Sequence, residues 1–277
     1  MIAIARASLR QWPILLSAFI LLVVILSVLA GPGIVPAEIR EISGEPWEPF
    51  GPQYLLGTDQ LGRDLLSRLL EGGRLSLALA SAVAVLSFLA GLGLGLLAAF
   101  VGGFVDSVIS RLMDIIMALP PLILAILVVA LLGNTIPVLI GVLVVFEAPR
   151  VFRLARALAM EIMTEDFVTA ARLRGEGLGW ILMREIAPNA IVPLVAELAL
   201  RFVFALLFLS SLSFLGLGVP PPQADWGGMV RENAPALGFG LPAPIVPAAC
   251  IAVVALSVNQ IADWLVATSG RRAGRRS

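Results

Sequence analysis

Glu197 and Arg201 stand four residues apart, next to a 23-residue run from Phe202 to Ala224 that carries no charge. The acid lies on the amino-terminal side, the better orientation for a helical i,i+4 pair. A charge near the centre of a membrane span costs about 2.5–3.5 kcal/mol on insertion scales, so an arginine there must face protein or water. Two roles fit the pair: a polar lining for a translocation path, or a structural lock between this helix and a neighbour. Asp64 and Arg68 repeat the spacing, and an exposed pair of this kind contributes roughly 0–1 kcal/mol, which reads as a solvated face.

The chemistry that is missing narrows the field. The chain has no His, no Lys and a single Cys, Cys250. His-based triads, His or Cys zinc sites and an intrachain disulfide are therefore excluded, and no catalytic residue or metal ligand set is assigned. A phosphate-binding loop of the P-loop type needs its lysine, so any nucleotide energy comes from another chain. All 19 basic residues are arginine, set against 19 acids. Nothing in that balance points to nucleic acid.

The elements that position these residues are membrane spans. Of 277 residues, 59% are hydrophobic and 14% charged, where soluble domains carry about 25% charged residues. Uncharged runs extend over Gln11 to Ala37, Leu75 to Val105, Ile115 to Phe146, Phe202 to Ala224 and Asn233 to Ala262. Each exceeds the ~20 residues that cross a hydrocarbon core. The third is long enough for about 48 Å of helix, and its middle, Gly133-Asn134-Thr135-Ile136-Pro137, is a turn signal. Splitting it gives six spans. With the amino terminus inside, 13 arginines then lie inside and 5 outside, whereas five spans give 4 and 14. The positive-inside rule selects six, with both termini cytoplasmic. The first run, after Arg6 and Arg10, exceeds the usual ~7–15-residue core of a secretory signal and reads as an uncleaved anchor.

Within the spans, Pro120 and Pro121 are expected to kink or interrupt the third. Gly91, Gly93 and Gly95, with Gly102 and Gly103, offer small surfaces for close helix packing. Asp106, Arg111 and Asp114 read as solvated interface charge. Between the first and second spans, Thr58 or Asp59 is placed to cap a helix. One face of it carries Leu61, Leu65, Leu66, Leu69 and Leu70, the other Arg63, Asp64, Ser67, Arg68 and Glu71. That helix should lie in the outer interface. Trp226, between apolar and polar stretches, fits an interfacial anchor.

The largest inside connection, about Arg156 to Arg184, is amphipathic. After Glu161, Glu165 and Asp166, an apolar stripe of Phe167, Val168, Ala170, Ala171 and Leu173 ends at Gly175 and Gly177. A second apolar stretch leads to Pro188. This reads as a helix-turn-helix at the cytoplasmic face. It either shields the bundle or offers a short helix to the groove of a soluble partner.

Thr169-Ala170-Ala171-Arg172-Leu173-Arg174-Gly175, with Pro188 beyond it, resembles the EAA loop of ABC-importer permeases, the element that docks on the ATPase subunit. Thr169 stands where Glu is usual, Glu185 where an apolar residue or His is common, and Ala187 where Leu is usual. Leu56-Gly57-Thr58-Asp59-Gln60-Leu61-Gly62-Arg63-Asp64, continuing through Arg68 and Gly73-Arg74-Leu75-Ser76-Leu77, is similar to the segment before the second span in C-type permease subunits of dipeptide, oligopeptide and nickel importers. Leu212-Ser213-Phe214-Leu215-Gly216-Leu217-Gly218, then Asp225-Trp226-Gly227, is similar to that family's segment after the fifth span. Near the end of the last span, Ala262 stands where the family often has Gly.

The resemblance implies an all-α, polytopic fold with six transmembrane helices, the type I importer permease fold, plus an outer interfacial helix and a cytoplasmic coupling helix. Residues 1–74 would form an anchor span and extracytoplasmic segment, 75–268 a permease core of five spans with its coupling loop at about 156–186, and 269–277 a basic tail. ATPase docking would fall to Thr169, Ala170, Ala171, Gly175 and Pro188. Gly57, Asp59, Gly62, Arg63, Asp64, Arg68 and Trp226 would face a substrate-binding protein or the outer interface. The implied partners are a homologous permease, ATP-binding cassette subunits carrying ATP and Mg, an extracytoplasmic binding protein and the lipid bilayer of a bacterial or archaeal inner membrane. The cargo is expected to be peptide-like. The rival readings are an ATP-independent secondary transporter or channel, and a membrane scaffold that moves nothing.

Overall fold

A computed structural model describes residues 12–34 and 44–273. Arg6, Arg10, Arg40 and the end of the basic tail lie outside the described residues. Among the described residues ten α-helices follow one another: α1 (Trp12–Ile34), α2 (Leu65–Val101), α3 (Gly103–Ala118), α4 (Pro121–Leu132), α5 (Ile136–Ile162), α6 (Asp166–Leu173), α7 (Leu178–Ile181), α8 (Ala187–Phe214), α9 (Trp226–Asn233) and α10 (Ile245–Ala273). A π turn, Leu182–Ile186, joins α7 to α8, and a 3₁₀ turn, Ala234–Phe239, follows α9. The described residues contain no strand, only an isolated bridge between Thr58 and Asp64.

α1, α2, α8 and α10 are each long and apolar enough to cross a membrane. The pair α3 and α4 makes a fifth span if counted together, bent by 88° at the Leu119–Pro120 break. Proline without an N–H to donate accounts for the interruption. α5 has 27 residues but carries Glu147, Arg150 and Arg153 within one crossing length, which separates it from the others by composition. Gly133 ends α4 and Ile136 begins α5, so the apolar run is divided at its turn signal.

α2 is the axis of the bundle. At 37 residues it spans about 55 Å, and its buried face packs with α5 and α8, around Leu79, Val83, Leu143 and Leu206, while α10 joins the same core with Val254 by packing on α8. A Cβ on Gly91 would sit 2.5 Å from the Ala148 carbonyl, and one on Gly95 2.7 Å from that of Phe152. Glycine at these two positions lets α2 and α5 approach backbone to backbone. Gly93, Gly102 and Gly103 meet nothing within 4 Å, so of the five expected packing glycines only two pack, and the last two form the turn into α3.

Three sequence-based boundaries move. The expected separate outer helix does not exist, because its residues from Leu65 onward are the first turns of α2, which runs unbroken through residue 75. The cap is Asp64, whose Oδ2 accepts from the Ser67 N–H at 2.8 Å, and not Thr58 or Asp59. α8 and α10 are shifted along their apolar runs: α8 ends at Phe214, before Gly216 and the prolines at 220–222, and α10 starts only at Ile245, after Pro235, Gly240, Pro242 and Pro244. Hydropathy counts side chains and is blind to backbone breakers inside an apolar run.

Candidate functional site

The candidate residues fall in three places, two polar and one apolar. The first is the end of the bundle where α2 begins. Asp59 is fully buried. Its Oδ1 accepts from the backbone N–H groups of Leu61 and Arg63 at 2.7 and 3.0 Å, and its Oδ2 from Arg63 Nε and Arg68 Nη1, both at 2.7 Å. Arg68 Nη1 also reaches Glu232 on α9 at 2.6 Å. Asn233 accepts from Gln60 N–H at 3.1 Å and Trp47 Nε1 at 3.3 Å, which pins the 44–64 segment to α9. A Cβ on Gly57 would strike the Glu48 carbonyl, and one on Gly62, held at φ +78°, the Gly44 carbonyl. Such a φ is the left-handed region that glycine enters without cost.

Of the residues assigned to the outer side, Gly57, Asp59, Gly62, Asp64, Arg68 and Trp226 are buried within this chain and Arg63 is half-buried. Asp64, Ser67 and Arg68 are buried, which replaces the solvated i,i+4 pair with a network reaching across the chain. Trp226 is 1% exposed and is not an interfacial anchor. Its Nε1 donates to the Leu69 carbonyl at 2.9 Å, its backbone N–H donates to Ser76 Oγ at 3.0 Å, and its ring lies over Gly73. Asp225 caps α9 through Gly227 and Gly228. Burial pushes its carboxyl above the usual range, against hydrogen bonds from Ser213, Gly228 and Gly227 that pull it down.

The second place is the middle of the bundle. Arg201 of α8 is buried and bridges two carboxylates: Nη1 lies 2.5 Å from Glu147 Oε2 on α5, and Nε 3.0 Å from Glu197 Oε1. The Nε–H is not aimed at Glu197 and makes no hydrogen bond, so Glu147 is the principal partner. Glu147 also accepts from Arg150 Nη1 at 2.7 Å, and the Phe204 ring lies 4.8 Å from the Arg201 guanidinium. The expected Glu197–Arg201 pair is present, but as the lesser half of an interhelix cluster. The sequence reading missed Glu147, which sits at the edge of an apolar run with its partner 54 residues away. The same holds for α3. Asp106 is bound by both Arg156 Nε and Nη2 at 2.5 Å, a half-buried tie from α3 to α5, whereas Asp114 meets Arg153 at 2.6 Å as an exposed pair and Arg111 is exposed, the solvated charge expected there.

The third place is the opposite end of the bundle, where α5 gives way to α6. Val168 and Ala171 are fully buried against Ile181 and Ile186, with Phe100, Ile162 and Met163 around them. Thr169, Ala170 and Arg172 point away, and Leu173 is 85% exposed. Gly175 at φ +81° turns the chain, and Pro188 opens α8 on its exposed side. Of the five expected docking residues, Ala171 faces inward and holds α6 in place. Thr169 and Ala170 remain on the outer face.

The sequence pattern of the family described as binding-protein-dependent transport system inner membrane component matches residues 91–275. The chain belongs to that family. Similar inner membrane components include the di/tripeptide transport system permease protein DppC of Pseudomonas aeruginosa, 37% identical over 89% of this chain and 84% of that protein. The dipeptide transport system permease protein DppC of Haemophilus influenzae is 35% identical over 89% and 86%. A putative peptide transport system permease protein of Brucella suis is 36% identical over 94% and 88%. The fold is shared with the MetNI methionine ABC transporter in inward-facing conformations, at TM-score 0.54 and 18% identity over 71% of this chain and 95% of that one. It is also shared with an amino acid ABC transporter, at TM-score 0.53 and 19% identity over 71% and 92%. The resemblance carried by the sequence motifs holds, and this inner membrane component is a permease subunit.

Proposed function

We propose that this inner membrane component is one of two homologous transmembrane subunits of an ATP-driven importer for di- or oligopeptides or related small solutes. It spans the cytoplasmic membrane of a bacterium or archaeon six times, through α1, α2, the broken α3–α4 pair, α5, α8 and α10, with both termini cytoplasmic. α5 enters this count because its Glu147 is buried and ion-paired, which removes the objection to a charge at that depth. ATP and Mg belong to cassette subunits below, and a binding protein delivers cargo from above. The peptide systems to which the relatives belong support the cargo class.

One observation carries the coupling role. α6 is anchored by Val168 and Ala171, while its other face, Thr169, Ala170 and Leu173, is exposed, with no covering residue among the described ones. A two-turn helix with an apolar exposed face suits the groove of a partner. When nucleotide closes the ATPase pair, α6 moves with it, and the bundle passes between inward- and outward-open states that nucleotide and loaded binding protein both bias.

The test is Leu173→Arg in the assembled complex. The expected result is normal membrane insertion with ATPase subunits lost on purification and ATP-dependent dipeptide uptake abolished. Ala171→Arg is the weaker test, because it disrupts the packing beneath α6 as well. Retained ATPases with undiminished uptake overturn the docking role, and uptake by the chain alone without ATP favours a secondary transporter.

A further inference from the structure

α5 and α8 are the two helices that flank the α6–α7 segment, and they meet at two levels. At the α6 end, Ile162, the last residue of α5, and Ile186, immediately before α8, close on Val168 and Ala171. Deeper in the bundle, Glu147 and Arg201 meet at 2.5 Å, both buried. Glu147 lies about four turns before the end of α5 and Arg201 about four turns after the start of α8, so each is on the order of 21 Å from the α6 end at 1.5 Å per residue. The ion pair thus closes a loop that contains the whole α6–α7 segment, at matched depth on its two legs. Neither charge has a bulk-water alternative, and Arg150 and Glu197 supply the remaining compensation.

We infer that the Glu147–Arg201 pair is a positioning tie that makes α5, α6 and α8 move as one lever, carrying displacement of α6 into the middle of the bundle. Without the tie, α6 would remain packed at its apolar knot, but the two legs would part above it and motion of α6 would dissipate there. The pair stays closed throughout the cycle. This inference rests on α6 being the ATPase contact.

The experiment uses the complete complex with its ATPase subunits and dipeptide-loaded binding protein in nanodiscs and in proteoliposomes. Glu147→Gln is expected to assemble and to keep basal ATPase activity. Its stimulation by loaded binding protein, and its uptake, should fall by about tenfold, within the usual range for coupling between sites. In a Cys250→Ser background, Glu147→Cys with Arg201→Cys is then joined by a short, flexible, membrane-permeant bifunctional thiol reagent. Joining should restore stimulation and uptake that the unjoined double variant lacks. Unchanged stimulation in Glu147→Gln overturns the inference, since the pair then serves packing alone. Joining that blocks uptake overturns it too, since the pair must then open. Should Glu147→Gln fail to assemble, the joined double variant decides alone. Leu173→Arg runs in parallel: if it keeps its ATPases and its uptake, the ATPase-contact reading is what has failed.

Discussion

Asp225 serves as helix cap and buried acid at once. Its Oδ2 accepts from Gly227 and Gly228 N–H groups at 3.1 and 3.2 Å, yet burial raises its pKa above the ordinary 3.8. The native state therefore holds this proton to higher pH than the unfolded chain does. Its contribution to stability is full below the unfolded value, declines as pH rises through the raised one, and is level beyond it. Asp225→Asn keeps an acceptor for the cap and removes the titration. Thermal melting of the purified complex between pH 4 and 8, a range of about four units around carboxylate titration, should lose part of its decline in the variant. An unchanged profile would mean that the site does not titrate there. Arg201 follows the opposite logic: it is stabilising only as a partner. Arg201→Leu removes the cation between Glu147 and Glu197 and leaves Glu147 with Arg150 alone, at a cost of about 3–5 kcal/mol, and Arg201→Lys should recover part of it in the same melting assay. Equal stability of the leucine variant would show that the carboxylates are compensated from elsewhere.

At the scale of elements, the α2–α5 contact is set by which glycine faces which backbone. Gly91 and Gly95 are one turn apart on the side toward α5, while Gly93, between them, faces open space. Gly95→Leu should separate the helices and destabilise by about 1–3 kcal/mol, as overpacking does. Gly93→Ala should be neutral or stabilising by up to about 1 kcal/mol from helix propensity. Denaturation of the two variants side by side reads the difference, and similar losses in both would refute this contact. The sequence shows three alternating glycines and cannot say which pair packs, because spacing of two places successive residues about 200° apart on a helix without saying where the neighbour lies.

At the scale of the whole molecule, the choice between five and six spans inverts everything beyond Gly133. In the Cys250→Ser background, Gln223→Cys, on the exposed segment after α8, should react with an impermeant thiol reagent in intact cells. Arg184→Cys, on the exposed side of the turn before α8, should react only after permeabilisation. The reverse pattern would mean five crossings. α1 matters to this count as well, since it is held by a Ser17–Gln260 hydrogen bond of 2.7 Å to α10 and by Arg74, which donates to the Val28 carbonyl at 2.8 Å and to that of Leu29. These contacts join it to the bundle.

The helical, apolar character of the chain is legible in its residues alone, and its glycine- and proline-bearing motifs carried the family. Those properties depend on residue type and local spacing, which a linear reading preserves. The break at Pro120, the turn at Gly133 and the helix before Gly175 were legible for the same reason. Tertiary structure alone decided which charges are structural. Arg201 chose Glu147 on another helix over Glu197 at its own i,i+4 position, and Arg68 chose Asp59 and Glu232 over Asp64. A buried guanidinium is satisfied by whichever carboxylates packing delivers to it, and packing brings together residues that no spacing rule relates. It also turned Trp226 and Ala171 inward, because a stripe or an aromatic flank shows that a face is apolar and leaves open which neighbour it meets.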